Sequence, residues 1–472
     1  MNHRFICLCV SACLLVIPVM LHAQSYYIQW ADTVDNGDTD IGWAVTVDKS
    51  NNIIVTGQSD IGPDEDYLTV KYDQDGTILW MDTLDNGSYD IAYGIATDEF
   101  NNVIVTGASW IGGNGDAYTV KYDSNGTFLW GDTITYSGTN RAIEVAVDHS
   151  NNIIVTGNAE IGANSDIITI KYTPSGTILW IDTTDTGYND YGRGVAIDSD
   201  NNIIVTGFST IAGNHDYMTV KYDSNGTMLW ADTIDYGAWD VAYAVAVDHS
   251  DNIIVTGRCE LTSYEYLTVK YDPNGTMLWA DTITQGHEAN SVTVDSENNI
   301  FITGVGLGGD YLTVKYDSMG IIMWMDTLNN GAGDWAYGIA VDTLDNIIVT
   351  GASTIGGTAD YYTVKYGPEP GISEDAKNNA YSLTFDVQPN PFHGQLNITF
   401  QIPGTKIQTS MRIFDVSGRL VRSLRLTPNA LRATQITWDG RDARGQQLPS
   451  GVYFVQVETD EHREIKKVLL IK

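Results

Sequence analysis

Cysteine is scarce. Three of the four in 472 residues, Cys7, Cys9 and Cys13, fall within the first 13 positions. Cys259 is therefore alone in the rest of the chain, which excludes an internal disulfide there and leaves stability to packing. Positive charge is also scarce. The chain carries 25 Lys+Arg against 60 Asp+Glu, a formal charge of −35. Such a surface repels phosphate backbones and anionic lipid heads, which argues against nucleic-acid binding. Helical periodicity beyond a single turn is missing after the N-terminus, so an α or α/β fold is excluded. No later segment is apolar enough to span a bilayer. The eight histidines have no metal-like spacing, and neither a Gly-x-Ser-x-Gly nor a phosphate loop occurs. A hydrophobic fraction of 43% still provides for a large core.

The N-terminus reads as an export signal. Arg4 supplies the positive charge, an apolar stretch runs from Phe5 to Leu21, and Leu21-His22-Ala23 ends in a small residue suited to cleavage. Residues 1–23 are thus expected to be a signal peptide, leaving a secreted or outer-surface protein with no transmembrane segment.

Repetition dominates residues 26–366. Tryptophans fall at 30, 80, 130, 180, 230, 279 and 324. A Thr-Gly pair closes a β-branched run at Gly57, Gly107, Gly157, Gly207, Gly257, Gly304 and Gly351, and a Thr-(Val/Ile)-Lys-Tyr run recurs with its lysine at 71, 121, 171, 221, 270, 315 and 365. Each unit holds four strand-like runs separated by turn residues; in the second these are Gly94–Asp98, Val103–Gly107, Tyr118–Tyr122 and Thr127–Asp132. About 50 residues with four short strands is the size of a propeller blade. The small-and-branched run, as in Ala244-Val245-Ala246-Val247-Asp248, suits the crowded innermost strand, and the Trp-bearing run suits the outer rim. The repeats open with an outer strand lacking its blade, Tyr26–Thr33, and stop after Tyr366 with a third strand lacking its partner. The expected fold is therefore all-β: a seven-bladed β-propeller over 24–366 whose N-terminal strand closes the last blade.

The phrases Asp-x-x-(Asn/Asp)-Asn-Ile-Ile-Val-Thr-Gly, Asp-Tyr-x-Thr-Val-Lys-Tyr-Asp and Gly-Thr-x-Leu-Trp resemble the bacterial seven-bladed β-propeller repeat (SBBP) family from about Tyr26 to Tyr366. That resemblance implies a fold and an exported protein, and no shared reaction.

Composition changes after Tyr366. Residues 367–382 read as a linker beginning Gly-Pro-Glu-Pro-Gly. Residues 26–366 carry 11 Lys/Arg and 49 Asp/Glu, whereas 383–472 carry 12 and 8. The tail has about seven alternating runs, which suits a small Ig-like β-sandwich over 383–472. Pro389-Asn390-Pro391-Phe392, Ile413-Phe414-Asp415-Val416-Ser417-Gly418-Arg419 and Trp438-Asp439-Gly440-Arg441 resemble the Ig-like module of the flagellar hook-capping protein (FlgD) family. Gly451-Val452-Tyr453-Phe454 and Lys466-Lys467-Val468-Leu469-Leu470 are similar to type A sorting domains of the type IX secretion system (T9SS). The second resemblance implies secretion machinery as a partner.

Repeated carboxylates have structural readings. Asp48, Asp98, Asp148, Asp198, Asp248, Asp295 and Asp342 end the inner strand and are expected to accept backbone N–H bonds at a turn. Asp32, Asp82, Asp132, Asp182, Asp232, Asp281 and Asp326 are expected to pair with the repeated lysine across neighbouring strands, exposed and worth a few tenths of a kcal/mol. Asp73-Gln74-Asp75-Gly76 and Asp123-Ser124-Asn125-Gly126 lack the distal ligands of a calcium loop and read as turns. No dedicated metal site or cofactor is expected, though the acidity allows loose surface calcium. No catalytic residue is assigned. Function should sit where the units differ. The aromatic-rich leads into the inner strands, Trp43, Tyr93, Tyr191, Arg193, Trp239, Tyr243, Trp335 and Tyr337, are expected to ring one mouth of a central channel and bind a glycan or protein ligand. The expectation is an exported binding module. The alternatives are a polysaccharide-acting hydrolase or lyase, which needs two unrepeated carboxylates at one cavity, and a structural coat or adhesin.

Overall fold

The computed structural model describes residues 26–368 except 63, 111–112, 212, 262, 331–332 and 356, and residues 384–471 except 390–391, 402–408, 416–418, 427–433, 443–444 and 460–462. The expected signal peptide and most of the expected linker lie outside the described residues. The chain divides into two compact units, 1–369 and 370–472. All regular structure among the described residues is β-strand.

The first unit contains seven four-stranded antiparallel sheets. In six of them the order in space is the order in sequence. Sheet one, for example, is Asp40–Val47, Ile53–Asp60, Glu65–Tyr72 and Ile78–Leu84. The next five begin at Asp90, Arg141, Asp190, Val241 and Gly286. Sheet seven joins Asp334–Val341, Ile347–Ile355 and Thr358–Pro368 to the N-terminal strand Tyr26–Val34, with Val34 opposite Tyr361 and Tyr26 opposite Pro368. The first strand of each sheet touches the first strands of both neighbours, and the circuit returns from Asp334–Val341 to Asp40–Val47. Second and third strands are buried along nearly their whole length because a neighbouring sheet covers each face. Fourth strands alternate between exposed and half-buried residues. The core lies between sheets: Val55 and Val70 of sheet one meet Ile348 and Tyr361 of sheet seven.

The repeated landmarks now have physical roles. The Thr-Gly glycine is a close backbone approach. A Cβ at Gly57 would sit 1.8 Å from the carbonyl oxygen of Ile41 and 2.6 Å from the Tyr361 hydroxyl. The tryptophan lies over the turn of the next sheet. A Cβ at Gly126, whose φ is +85°, would meet the Trp80 ring at 3.0 Å. At each first hairpin an Asn or Asp with positive φ accepts the backbone N–H of the preceding sheet's hairpin, as Asn101 does from Lys49. The series closes where Asn51 accepts from Thr343.

The repeated lysine corrects the sequence reading. It does not pair with the outer-strand aspartate. Register places Lys71 opposite Trp80, and Thr69 opposite Asp82. The lysine is buried and reaches the aspartate that ends the inner strand: Lys71 Nζ lies 2.8 Å from Asp48 Oδ2, with side-chain exposures of 3% and 0%. All seven such pairs form, at 2.8–3.3 Å. Asp48 also accepts the expected backbone bonds, from Ser50 N and Asn52 N. Outer-strand aspartates instead accept tyrosine hydroxyls, as Asp232 does from Tyr271 and Asp281 from Tyr316.

Lysine and tryptophan also share an acceptor on the next sheet. Lys71 Nζ and Trp80 Nε1 both donate to the Ser124 carbonyl, each at 3.2 Å. Lys121 and Trp130 do the same at Pro174, and Lys365 and Trp30 at Gln74. Between sheets six and seven there is no hairpin turn to receive them, because the outer strands of sheet seven come from opposite ends of the repeats. Tyr26 fills that place. Its hydroxyl accepts from Lys315 Nζ at 3.1 Å, and its ring centroid lies 5.1 Å from that of Trp324.

The second unit holds two sheets. One is ordered Thr384–Gln388, Leu396–Gln401, Thr434–Trp438; the other Leu420–Leu426, Thr409–Asp415, Gly451–Thr459, Arg463–Leu470. Both contribute to one core that includes Ile398, Met411, Trp438, Tyr453 and Val468. The Gly-Val-Tyr-Phe run pairs with the C-terminal Lys-Val-Leu-Leu run, Tyr453 opposite Val468. Trp438 Nε1 donates to the Arg441 carbonyl at 2.9 Å, which gives the Trp-Asp-Gly-Arg phrase its shape.

Candidate functional site

Every first strand of the seven sheets carries a β-bulge at the same place. In sheet one Gly42 pairs with Gly57 and Ala44 with Thr56, which leaves Trp43 unpaired. The bulged residues are Trp43, Tyr93, Ile143, Arg193, Tyr243, Asn290 and Tyr337. A bulge re-aims one side chain out of the alternating pattern. All seven line a single cavity of about 490 Å³, to which all seven first strands contribute. Small neighbours at the bulge, Gly42, Ala92, Ala142, Gly192, Ala242, Ala289 and Ala336, leave room for the turn-out.

Aromatic rings form one side. Trp43 lies 4.2 Å from Tyr337 and 5.9 Å from Tyr93, centroid to centroid, and donates its indole N–H to Gln58 at 3.0 Å. Arg193 lines the same cavity, its guanidinium 5.7 Å from the Phe208 ring. Burial lowers the Arg193 pKa, and the Arg141 charge nearby adds to that. The Nε atoms of Arg141 and Arg193 are sealed from solvent and find no acceptor. Arg258 is held differently: it donates to Glu288 Oε2 at 3.1 Å, which also accepts from the Tyr243 hydroxyl at 3.2 Å.

Five of the eight residues expected at the mouth, Trp43, Tyr93, Arg193, Tyr243 and Tyr337, line this cavity. The other three do not. Tyr191 stacks on Phe208 at 4.8 Å, Phe208 on His215 at 4.6 Å, and His215 packs on Trp239 at 4.2 Å, in a ladder of its own. Trp335 is 37% exposed and adjacent to Gly333. Sequence reasoning missed Ile143, Asn290, Glu144 and Glu288. The first two lie at the bulge position but are not aromatic. Glu144 and Glu288 were passed over among many carboxylates, although neither has an acidic counterpart in the other units.

Two unrepeated carboxylates thus line the cavity, but they are not alike. Glu288 is committed to Arg258 and Tyr243. Glu144 has only the Val145 backbone N–H, at 3.0 Å. Burial raises its pKa to about 8, and that one hydrogen bond opposes the shift. The folded chain therefore keeps a proton that the unfolded chain releases between about 4.5 and 8. Stability should fall with rising pH over that window, by up to about 1.4 kcal/mol per pH unit. Glu144→Gln should abolish this slope. Urea unfolding of both proteins from pH 5 to 9 checks it, and parallel curves would contradict the burial of Glu144.

Residues 387–462 match the FlgD Ig-like domain family. No curated protein sequence matches the chain. Among solved structures it is similar to PorZ, described as an essential bacterial surface component of the type-IX secretion system of Porphyromonas gingivalis, with 15% identity over 93% of this chain and a TM-score of 0.48; the match spans 60% of that protein. It is also similar to the Pan2 WD40 domain of Neurospora crassa (9% identity, 75% of this chain, 99% of that one, TM-score 0.50) and to Raptor of Chaetomium thermophilum (10% identity, 75% and 30%, TM-score 0.50). At these identities the likeness to the last two is one of fold. WD40 repeats are four-stranded propeller blades, and the sheets of this chain are likewise four-stranded. No helix among the described residues is long and apolar enough to cross a membrane.

Proposed function

We propose that the chain is an exported seven-bladed β-propeller whose central cavity binds an acidic glycan, and that the C-terminal Ig-like domain is its sorting label for a type IX secretion system. On this reading residues 1–23 are a cleaved signal, 24–366 the propeller, 367–382 a linker and 383–472 the label, and the protein works at the outer cell surface or beyond it. The seven sheets and their circuit of first strands support the propeller. The signal-like N-terminus, the FlgD Ig-like match and the Gly-Val-Tyr-Phe and Lys-Lys-x-Leu-Leu phrases support the address.

The binding role rests on one observation: of the three arginines between residues 26 and 368, Arg193 lines the cavity, Arg258 holds its lining residue Glu288, and Arg141 is near enough for its charge to act on Arg193. Elsewhere in this unit seven of the eight lysines are consumed by buried ion pairs. A unit this acidic has thus kept its three arginines close to one another. The Nε atoms of Arg141 and Arg193, sealed and without an acceptor, favour a ligand that brings an anion. The rings of Trp43, Tyr93 and Tyr337 supply stacking faces suited to a sugar. Because Glu288 is already paired, binding is favoured over acid–base catalysis.

The full chain without its signal should bind uronic-acid or sulfated glycans on an array and pass over neutral ones. Arg141→Ala with Arg193→Ala should weaken that binding by about tenfold to a hundredfold, in line with loss of charge-assisted hydrogen bonds. Capture of acidic peptides instead, or binding indifferent to both substitutions, would discard the glycan reading. In a host with the secretion system, removal of 383–472 should leave the propeller in the periplasm; normal surface display would discard the address.

A further inference from the structure

Where the chain leaves one sheet for the next it makes a second recurring feature. In the crossover from sheet one to sheet two, Asp85 and Asp90 meet Asp66, which comes from the third strand of sheet one. In the crossover from sheet three to sheet four, Asp185 and Asp190 meet Asp166. In each trio one carboxylate oxygen per residue lies within 4.8 Å of the others. Two members are fixed by backbone donors: Gly87 N to Asp85 at 2.6 Å and Asn86 N to Asp90 at 2.7 Å, and likewise Gly187 N to Asp185 at 2.6 Å and Thr186 N to Asp190 at 2.8 Å. The third member is not. Asp66 and Asp166 are only 8% and 4% exposed, and the Oδ1 of each is shut off from solvent with no hydrogen-bond partner.

Other crossovers show what is missing. From sheet six to sheet seven, Asn329 stands where Asp85 stands in the first crossover, and its Nδ2 donates to Asp310 at 2.8 Å. In two further aspartate trios the third-strand residue has a side-chain donor: Asn214 Nδ2 reaches Asp216 at 3.1 Å, and Thr358 Oγ1 reaches Asp360 at 3.3 Å. Among the described residues, only at Asp66 and Asp166 do three carboxylates converge on a sealed third-strand oxygen with nothing to donate to it.

We propose that Asp66, Asp85 and Asp90, and separately Asp166, Asp185 and Asp190, bind one calcium ion each and thereby pin the inter-sheet crossover to the preceding third strand. The donors are all carboxylate oxygens, with no imidazole or thiolate, which suits a hard cation. Three anionic ligands set by the fold rather than at octahedral corners suit calcium, which accepts irregular sets of six to eight oxygens, better than magnesium with its strict octahedron. The inference does not depend on glycan binding at the central cavity.

The test uses the chain without its signal, stripped with a chelator. Isothermal titration with calcium chloride should give saturable uptake of two ions per chain, and calcium should raise the melting temperature where equimolar magnesium does so little. Asp66→Asn should leave uptake of one ion, and Asp66→Asn with Asp166→Asn none. In chelator the double variant should melt at or above the parent, because it removes an unpaired buried charge; in calcium the parent should melt higher. Absence of saturable uptake by the parent, unchanged stoichiometry in the double variant, or a double variant that melts below the parent in chelator would each overturn the proposal.

Discussion

Asp148→Ala is expected to destabilise the protein by about 3–5 kcal/mol, because it strands the ammonium of Lys171 in a buried site. The pair lies at 2.9 Å with side-chain exposures of 5% and 2%, so water does not replace the lost partner. Replacing both members, Lys171→Met with Asp148→Asn, should recover most of the loss. The asparagine still accepts the backbone N–H groups of Ser150 and Asn152, and the methionine fills the lysine stem's channel. Urea midpoints at pH 7 for the parent, single and double variants decide it; a single variant within about 1 kcal/mol of the parent would contradict a buried pair. Acid should act on several of these pairs together. Burial tends to raise Asp48, Asp98, Asp148 and Asp198, but the lysine ammonium, the neighbouring Asn amide and the turn N–H groups outweigh it and hold each pKa below 3.8. A lowered carboxylate pKa contributes stability that is complete above the unfolded value and is lost as pH falls through the folded one. Unfolding below about pH 4 should therefore be steep.

Removing Tyr26–Val34 should lower the melting temperature on the order of 10 °C and broaden the transition. Sheet seven would be left with three strands, and the edge of Thr358–Pro368 would be open to pairing with other chains. Lys315 would lose the Tyr26 hydroxyl and keep Asp295, at 3.3 Å, and the Phe301 ring. A synthetic Tyr26–Val34 peptide added in excess should restore the sharp transition, and its Tyr26→Phe form should restore less. Calorimetry with and without peptide reads both effects. A truncated chain that melts like the parent would mean that the closing strand contributes little.

The repeats made the larger plan legible. Four runs per unit, their order from Ala-Val-Ala-Val to Leu-Trp, and the complementarity of Tyr26–Thr33 to Tyr366 all follow from landmarks that occur seven times. What escaped was register. The lysine's partner depends on how three strands align: the register sets Lys71 across from Trp80 and Thr69 across from Asp82, and the lysine reaches instead to the aspartate that ends the inner strand. The cavity wall escaped for the same reason. Its signal is a column that changes from unit to unit, Trp, Tyr, Ile, Arg, Tyr, Asn and Tyr, beside a Gly or Ala that does not. Aromatic content alone gathered Tyr191, Trp239 and Trp335 with the true lining residues, although they occupy other columns. The second unit was readable as far as its pairing of Gly-Val-Tyr-Phe with the C-terminal strand.

Tyr26 has a consequence for how such a protein can be cut and rejoined. One side chain stands in for a hairpin, so the seam needs no covalent link across it, only a hydroxyl and a ring at the right height. A circular permutant that joins Val34's strand to the end of Thr358–Pro368 and opens the Asp123–Gly126 turn would lose the Ser124 acceptor. It should then require a tyrosine at its new start to hold Lys71 and Trp80.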